Sequence, residues 1–151
     1  MIWINLSEAE SLLKNGTYTN RFILSYLLLY TVFELIVLNL GIDSLDESKW
    51  LILLDLFTVL TITILGIFYL YGINQKGDQK DFLNRYFVLS WIVMIRMALV
   101  LIPTILLLAL LFRILRLDIF GGFWFEYFTL NLFGIVYYHF LGKSFKRINI
   151  N

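Results

Sequence analysis

The distribution of charged residues constrains this chain most, because it leaves four long apolar runs. They cover about residues 22–40, 50–71, 86–112 and 123–141. A helix needs about 20 mostly apolar residues to cross a bilayer. Only 15% of the residues are charged and 60% are hydrophobic, whereas a soluble domain is about a quarter charged. The sequence therefore predicts an all-α, single-domain integral membrane protein, a four-helix bundle built from two transmembrane hairpins.

The segment before the first run predicts a short interfacial helix. Ser7 and Glu10 fit a capping box at its start, and Asn15 followed by Gly16 fits a helix stop. Its apolar residues are expected to lie on the membrane surface: Ile2, Trp3, Leu6 and Leu13.

The link between the second and third runs predicts a helix break followed by a capped helix. Gly77 ends the preceding helix, Asp78 serves as the N-cap and Asp81 occupies the third helical position. Asp81 and Arg85 are four residues apart, so they are expected to form an exposed pair on one helix face.

The basic residues outside the apolar runs predict the orientation of the chain. With four spans, eight basic residues lie on one side and three on the other. The first group is Lys14, Arg21, Lys76, Lys80, Arg85, Lys143, Lys146 and Arg147, and the second is Lys49, Arg113 and Arg116. Because cytoplasmic loops carry the excess of Lys and Arg, both termini are expected in the cytoplasm of a bacterial inner membrane.

Five ionisable residues inside or at the edges of the spans are candidate functional residues. They are Glu34, Asp55, Arg96, Glu126 and His139. Glu34 and Arg96 lie ~18 Å and ~15 Å from the same membrane face at 1.5 Å per residue. The similar depth predicts that spans one and three are neighbours and that the two residues form a buried ion pair, with Asp55 as the alternative partner of Arg96.

The other candidates lie close to the ends of their spans. Asp55 and Glu126 are about one turn inside the outer boundary, and His139 is near the cytoplasmic boundary. Each side chain is expected to reach water, although a role in proton or ion transfer stays open for all five candidates.

Two stretches share a pattern of glycine and tyrosine. Near the end of the second run Gly66, Tyr69 and Gly72 are matched by Gly134, Tyr137 and Gly142 near the end of the fourth. One interpretation is a duplicated hairpin. The other is that glycines and interfacial aromatic residues recur at the ends of any membrane hairpin.

Composition excludes several functions. The chain has no cysteine, which excludes thiolate chemistry, and a single histidine, which excludes multi-histidine metal sites. Its net charge of +1 without a basic block argues against nucleic acid as a partner. We therefore predict no cofactor, no metal and no catalytic residue.

Three functions remain open. The first is a non-enzymatic protein whose partners are the lipid bilayer and another membrane protein or a second copy of this chain. The second is a proton- or ion-coupled transporter or channel that uses Glu34, Arg96 and Asp55. The third is a membrane enzyme that acts on a lipid headgroup, which an interfacial pocket with convergent polar groups would favour.

Overall fold

The computed structural model describes residues 2, 4–40, 49–114 and 123–149, without the side chains of 34–40, 49, 109, 113, 123 and 126. These residues form five helices and no strand, as the sequence predicts for an all-α chain. The helices are α1 (Leu6–Asn15), α2 (Asn20–Leu40), α3 (Lys49–Lys76), α4 (Phe82–Ile114) and α5 (Phe123–Asn149).

The N-cap of helix α1 lies two residues before the predicted one. Asn5, not Ser7, is the N-cap: its side-chain oxygen accepts the Glu8 backbone N–H at 3.3 Å, and its amide donates to the Glu8 carboxylate at 3.1 Å. At the other end Gly16 adopts φ +66° and donates its N–H to the Leu12 carbonyl, so the predicted helix stop is confirmed.

The apolar face of α1 packs against protein rather than lying on a membrane surface. Leu6, Leu13 and the preceding Ile2 are buried, because α1 contacts α4 and α5. The Tyr26 hydroxyl on α2 accepts the Ile2 N–H at 2.9 Å and donates to the Ile2 carbonyl at 2.5 Å. The predicted surface location of these three residues is therefore wrong, and Trp3 lies outside the described residues.

Helices α2 and α4 pack side by side and run in parallel. Tyr30 meets Phe87 with ring centroids 6.4 Å apart, and one turn further along both helices Phe33 meets Trp91 at 6.0 Å. The prediction that the first and third apolar runs are neighbours is confirmed.

Helices α3 and α5 also run in parallel and form the most extensive helix pair. The Thr58 and Tyr127 hydroxyls are 2.8 Å apart, and fifteen residues after Thr58 the Ile73 carbonyl accepts from the Asn149 amide at 3.3 Å. Helix α5 packs on α4 as well, with the opposite direction.

This packing differs from the two sequential hairpins that the sequence predicts. Helices α4 and α5 form a packed hairpin, but α2 and α3 share no substantial contact among the described residues. The neighbours are α2 with α4, α4 with α5, and α5 with α3. Since the two hairpins pack differently, the structure gives no support to the duplicated hairpin.

Three members of the shared glycine and tyrosine pattern, Gly66, Tyr69 and Gly142, make close contacts within the α3–α5 pair, whereas Gly72 and Gly134 meet no tyrosine. A Cβ atom on Gly66 would overlap the Tyr138 ring, and one on Gly142 would lie 2.5 Å from the Tyr69 ring. Each helix thus presents a glycine to a tyrosine of the other helix. Gly66 and Gly142 let the two helices approach closely, as small residues do between membrane helices.

Two helices are long and apolar enough to cross a membrane, judged by length and composition: Trp50–Lys76 and Phe82–Phe112. The described apolar part of α2, Asn20–Phe33, is shorter. Both long helices leave many large apolar side chains exposed, among them Phe57, Phe68 and Leu107.

Candidate functional site

Arg96 forms no ion pair with another described side chain. Its side chain is exposed and lines a groove formed by α1, α4 and α5, whose lining includes no residue of α2. The expectation that Arg96 is buried is wrong, because its helix face points away from the face that packs on α2. The Glu34 side chain lies outside the described residues, so the specific pairing stays a prediction.

The groove that contains Arg96 combines an apolar wall with three basic side chains, and we call it the basic groove. Its volume is about 590 Å³. The apolar wall is formed by Leu6, Val93, Met97, Val100, Leu101, Val136 and Phe140. The basic side chains are Arg96, Lys143 and Arg147.

Helix geometry explains why the basic side chains converge. Side chains on a helix lean toward its N-terminus, and α4 and α5 are antiparallel. Arg96 on α4 therefore leans toward the end of the molecule that holds α1, which we call the α1 end. Lys143 on α5 leans away from that end and toward Arg96. Lys143 and Arg147 are four residues apart and share a helix face.

The three basic residues differ in their partners. Arg147 is tied to α1, since its guanidinium donates to the Glu10 carboxylate at 2.7 and 3.1 Å. Lys143 places its ammonium 5.5 Å from the centre of the Phe140 ring. Among the described residues, the ion pairs include neither Lys143 nor Arg96. The groove therefore carries positive charge that its own described lining does not neutralise, beside an apolar wall.

The remaining sequence candidates do not meet at this groove. Asp55 on α3 is half-buried, and its Oδ1 has no hydrogen-bond partner among the described residues. Glu126 is on α5, and its side chain lies outside the described residues. His139 is exposed, with its ring 6.1 Å from that of Phe140, and is not part of the groove lining.

A buried ion pair is present, but at residues other than the predicted ones. Arg85 is only 2% exposed and donates from both terminal nitrogens to the Asp78 carboxylate at 2.5 Å. Nη1 also lies 3.0 Å from Asn74 Oδ1 and 2.8 Å from Asn149 Oδ1, so its two N–H groups are shared among three acceptors. These four residues form what we call the Arg85 cluster, which joins the ends of α3, α4 and α5.

The charge of Arg85 also sets the ionisation of its partner. The hydrogen bonds from Arg85 hold the pKa of the Asp78 carboxyl below its usual value, although partial burial opposes this. Both terminal nitrogens of Arg85 bond residues of the chain itself, whereas its buried Nε has no hydrogen-bond partner among the described residues.

The Arg85 cluster corrects the predicted start of α4. Asp78 is not the N-cap, because α4 begins at Phe82 and the Asp81 carbonyl accepts the Arg85 N–H at 3.0 Å. The Asp81 carboxylate pairs with the Tyr18 hydroxyl at 2.5 Å rather than with Arg85. The predicted exposed Asp81–Arg85 pair is therefore wrong. Gly77 does follow the last residue of α3, as predicted.

Sequence reasoning missed Lys143 and Arg147 as site residues, since it used them only to orient the chain. The available signal was their spacing of four residues directly after the apolar run of α5. Their convergence with Arg96 depends on the pairing of α4 with α5, which no local pattern specifies.

Comparison with known proteins adds no relative to this picture. No family model matches the chain, and neither the curated proteins nor the solved structures contain a match. Within the part of the chain that the structure describes, no cluster of three or more histidine or acidic residues is placed to hold a metal ion.

Proposed function

We propose that the protein is a four-span bacterial inner-membrane protein whose basic groove binds the headgroup of an anionic phospholipid without transforming it. The observation that carries the proposal is the convergence of Arg96, Lys143 and Arg147 beside an apolar wall. A phosphate group accepts hydrogen bonds from arginine and lysine, and the wall provides a surface for an acyl chain.

Placement in a membrane is supported by two features. Helices α3 and α4 are long, apolar and largely unburied along their apolar stretches. The eight-to-three distribution of basic residues favours the α1 end in the cytoplasm. The basic groove then opens at the cytoplasmic leaflet, where anionic lipids concentrate and each nearby basic residue contributes about 1 kcal/mol of attraction.

The groove bears on the three functions left open by the sequence. An interfacial pocket with convergent polar groups is the feature expected of the enzyme that acts on a lipid headgroup. Because the described lining is basic and apolar, with no acidic or hydroxyl side chain, it supports binding of an anionic headgroup rather than its transformation. Beyond Arg96 the wall continues with Val100 and Leu101, which suits an acyl chain better than an ion path. Association with another membrane protein or with a second copy stays a prediction.

Native mass spectrometry tests the proposal with two lipids that share acyl chains. The protein in mild detergent is mixed with phosphatidylglycerol or phosphatidylcholine, and the retained lipid is counted. We expect preferential retention of phosphatidylglycerol. The double substitution Arg96→Gln and Lys143→Gln should reduce that preference by roughly tenfold or more, because two attractive charges are lost.

The matched control removes two basic residues at the same end but outside the groove, Lys76→Gln and Lys80→Gln. It should keep the preference for phosphatidylglycerol. Soluble glycerol phosphate at millimolar concentration should not displace the lipid, since it lacks the acyl chain. Equal retention of both lipids by the unmodified protein, or equal loss in the control, would contradict the proposal.

A further inference from the structure

A second cavity lies where α2, α3, α4 and α5 meet, separate from the basic groove. Its volume is about 250 Å³. Polar side chains from all four helices line it, and four of them are tyrosines: Tyr30, Tyr86, Tyr137 and Tyr138, with Thr63 and Asn131. We call it the tyrosine cavity. No residue of its lining is shared with the basic groove.

Asn131 on α5 gives this cavity an unused hydrogen-bond acceptor. The side chain is only 8% exposed, and its amide group donates to the Tyr127 carbonyl at 2.7 Å. Its Oδ1 is buried and has no hydrogen-bond partner among the described residues. A buried amide oxygen without a donor is costly, and such groups are rare in folded proteins. The atom is almost fully buried, so the Asn131 side chain has to rotate toward the cavity before a donor there can reach Oδ1.

The exposed part of the lining indicates that the cavity opens on the side of the molecule. Val59 on α3 and Leu130 on α5 belong to its lining and are exposed. Helices α2 and α3, which both contribute to the lining, do not pack together among the described residues. An apolar molecule dissolved in the surrounding hydrocarbon can therefore reach the cavity directly.

Size and lining restrict the chemical class of the occupant. A cavity of about 150 Å³ accommodates a benzene ring, so one of 250 Å³ holds a ring with a polar substituent. The described lining is uncharged, and tyrosine rings favour edge-to-face contact with another aromatic ring. Asn131 Oδ1 requires a donor, which a hydroxyl on that ring supplies.

We propose that the tyrosine cavity binds a small, uncharged hydroxyaromatic molecule whose O–H donates to Asn131 Oδ1. The ring lies among the four tyrosines and enters from the bilayer between α2 and α3. This inference does not depend on lipid binding at the basic groove.

Fluorine NMR of the purified protein in detergent tests the inference with 4-fluorophenol and 4-fluoroanisole. The two probes have similar rings, but only the phenol has an O–H donor. We expect 4-fluorophenol to show a saturable bound signal of one site per chain. The affinity of 4-fluoroanisole should be at least tenfold lower, because it leaves Asn131 Oδ1 without a donor.

Two variants locate the site. Asn131→Leu keeps a similar side-chain volume but removes the acceptor. It should lower the affinity for 4-fluorophenol at least tenfold and change the affinity for 4-fluoroanisole little. Thr61→Val is the matched control, because Thr61 is exposed on α3 outside the cavity and bonds only its own helix carbonyl at 2.7 Å. It should leave both affinities unchanged.

Comparing the affinities of the two probes for the unmodified protein tests the inference even if Asn131→Leu fails to fold. Partitioning identical to that of empty micelles would show that water alone fills the cavity and would overturn the inference. Equal affinity for the two probes, or full affinity in a folded Asn131→Leu protein, would overturn it as well.

Discussion

The two ends of the molecule differ in how their helices are held. At the α1 end, hydrogen bonds join residues far apart in the sequence, such as Arg85 with Asn149 and Arg147 with Glu10. Toward the other end of α4 the side chains are apolar and largely exposed. Leu89 is 0% exposed, whereas Leu107 on the same helix is 66% exposed. Both halves of α4 are apolar, so polar side chains, rather than hydrophobicity, distinguish the closely packed end.

The largest expected effect comes from breaking the Arg85 cluster. Arg85→Gln leaves the Asp78 carboxylate without its cation, and it should cost about 3 kcal/mol of unfolding free energy, the lower end for a buried pair. The lower end applies because 20% of the Asp78 side chain reaches solvent. Thermal unfolding in detergent measures the loss. The control is Arg21→Gln at an exposed position of α2, which should change the unfolding free energy little. Similar losses in both variants would show that the cluster does not hold this end together.

The contrast between the two halves of α4 is tested by one change made in both. Leu89→Ala should cost about 2 kcal/mol, mainly from the cavity it leaves, since lipid or detergent already solvates the unfolded helix. Leu107→Ala should cost less than about 0.5 kcal/mol, because no packed neighbour is lost. Both values come from the same unfolding titration, and equal costs would remove the distinction between the two ends.

The close approach of α3 and α5 is tested at two glycines of α3. Gly66→Ala places a Cβ against the Tyr138 ring. The resulting overpacking should lower the unfolding free energy by about 1–2 kcal/mol. Gly72→Ala is the matched control, because a Cβ there meets no atom within 4 Å. It should be neutral or slightly stabilising, since alanine favours the helix over glycine. A Gly66→Ala protein as stable as the control would show that the contact is loose.

The smallest expected effect is the acid dependence of the Arg85 cluster. Since the pKa of Asp78 is lowered in the folded protein, its contribution is complete above the unfolded pKa of about 4 and is lost as the pH falls through the folded value. The difference in melting temperature between the unmodified protein and Asp78→Asn should therefore be constant from pH 7 to 5 and narrow below pH 4. A difference that widens toward low pH would contradict this.

Much of the helical framework was predictable, because it depends on local signals. Each of the four apolar runs predicted a helix that the structure contains. The predicted helix stop at Gly16 and the predicted break at Gly77 are also present. The helices extend past the predicted ends of the runs, since α3 continues to Lys76 and α5 to Asn149. Hydropathy alone assigns the polar residues at these helix ends to the links between helices, although they are helical and belong to the closely packed end.

The partners of the charged residues were not predictable from depth and spacing. The spacing placed Arg85 and Asp81 on one helix face, yet Asp81 lies before the first residue of α4 and Arg85 pairs with Asp78 in the preceding turn. Residue counting placed Arg96 at a depth similar to that of Glu34, whereas the structure places it in the groove with α1 and α5, and its pairing with Glu34 stays a prediction. Residue counting predicts how far along the helix axis a side chain lies. The direction in which it points depends on the rotation of the helix about its axis, which is set by packing of the whole helix surface.

The reciprocal contacts of Gly66 with Tyr138 and of Gly142 with Tyr69 have a mechanical consequence. Two bulky rings seated in two gaps, one on each helix, resist translation of α5 along α3 in either direction. A shift by one turn, about 5.4 Å, would drive Tyr138 out of its gap and against bulkier side chains. We therefore expect α3 and α5 to move as a single rigid unit, and any opening of the molecule to occur by motion of α2 and α4 relative to that unit.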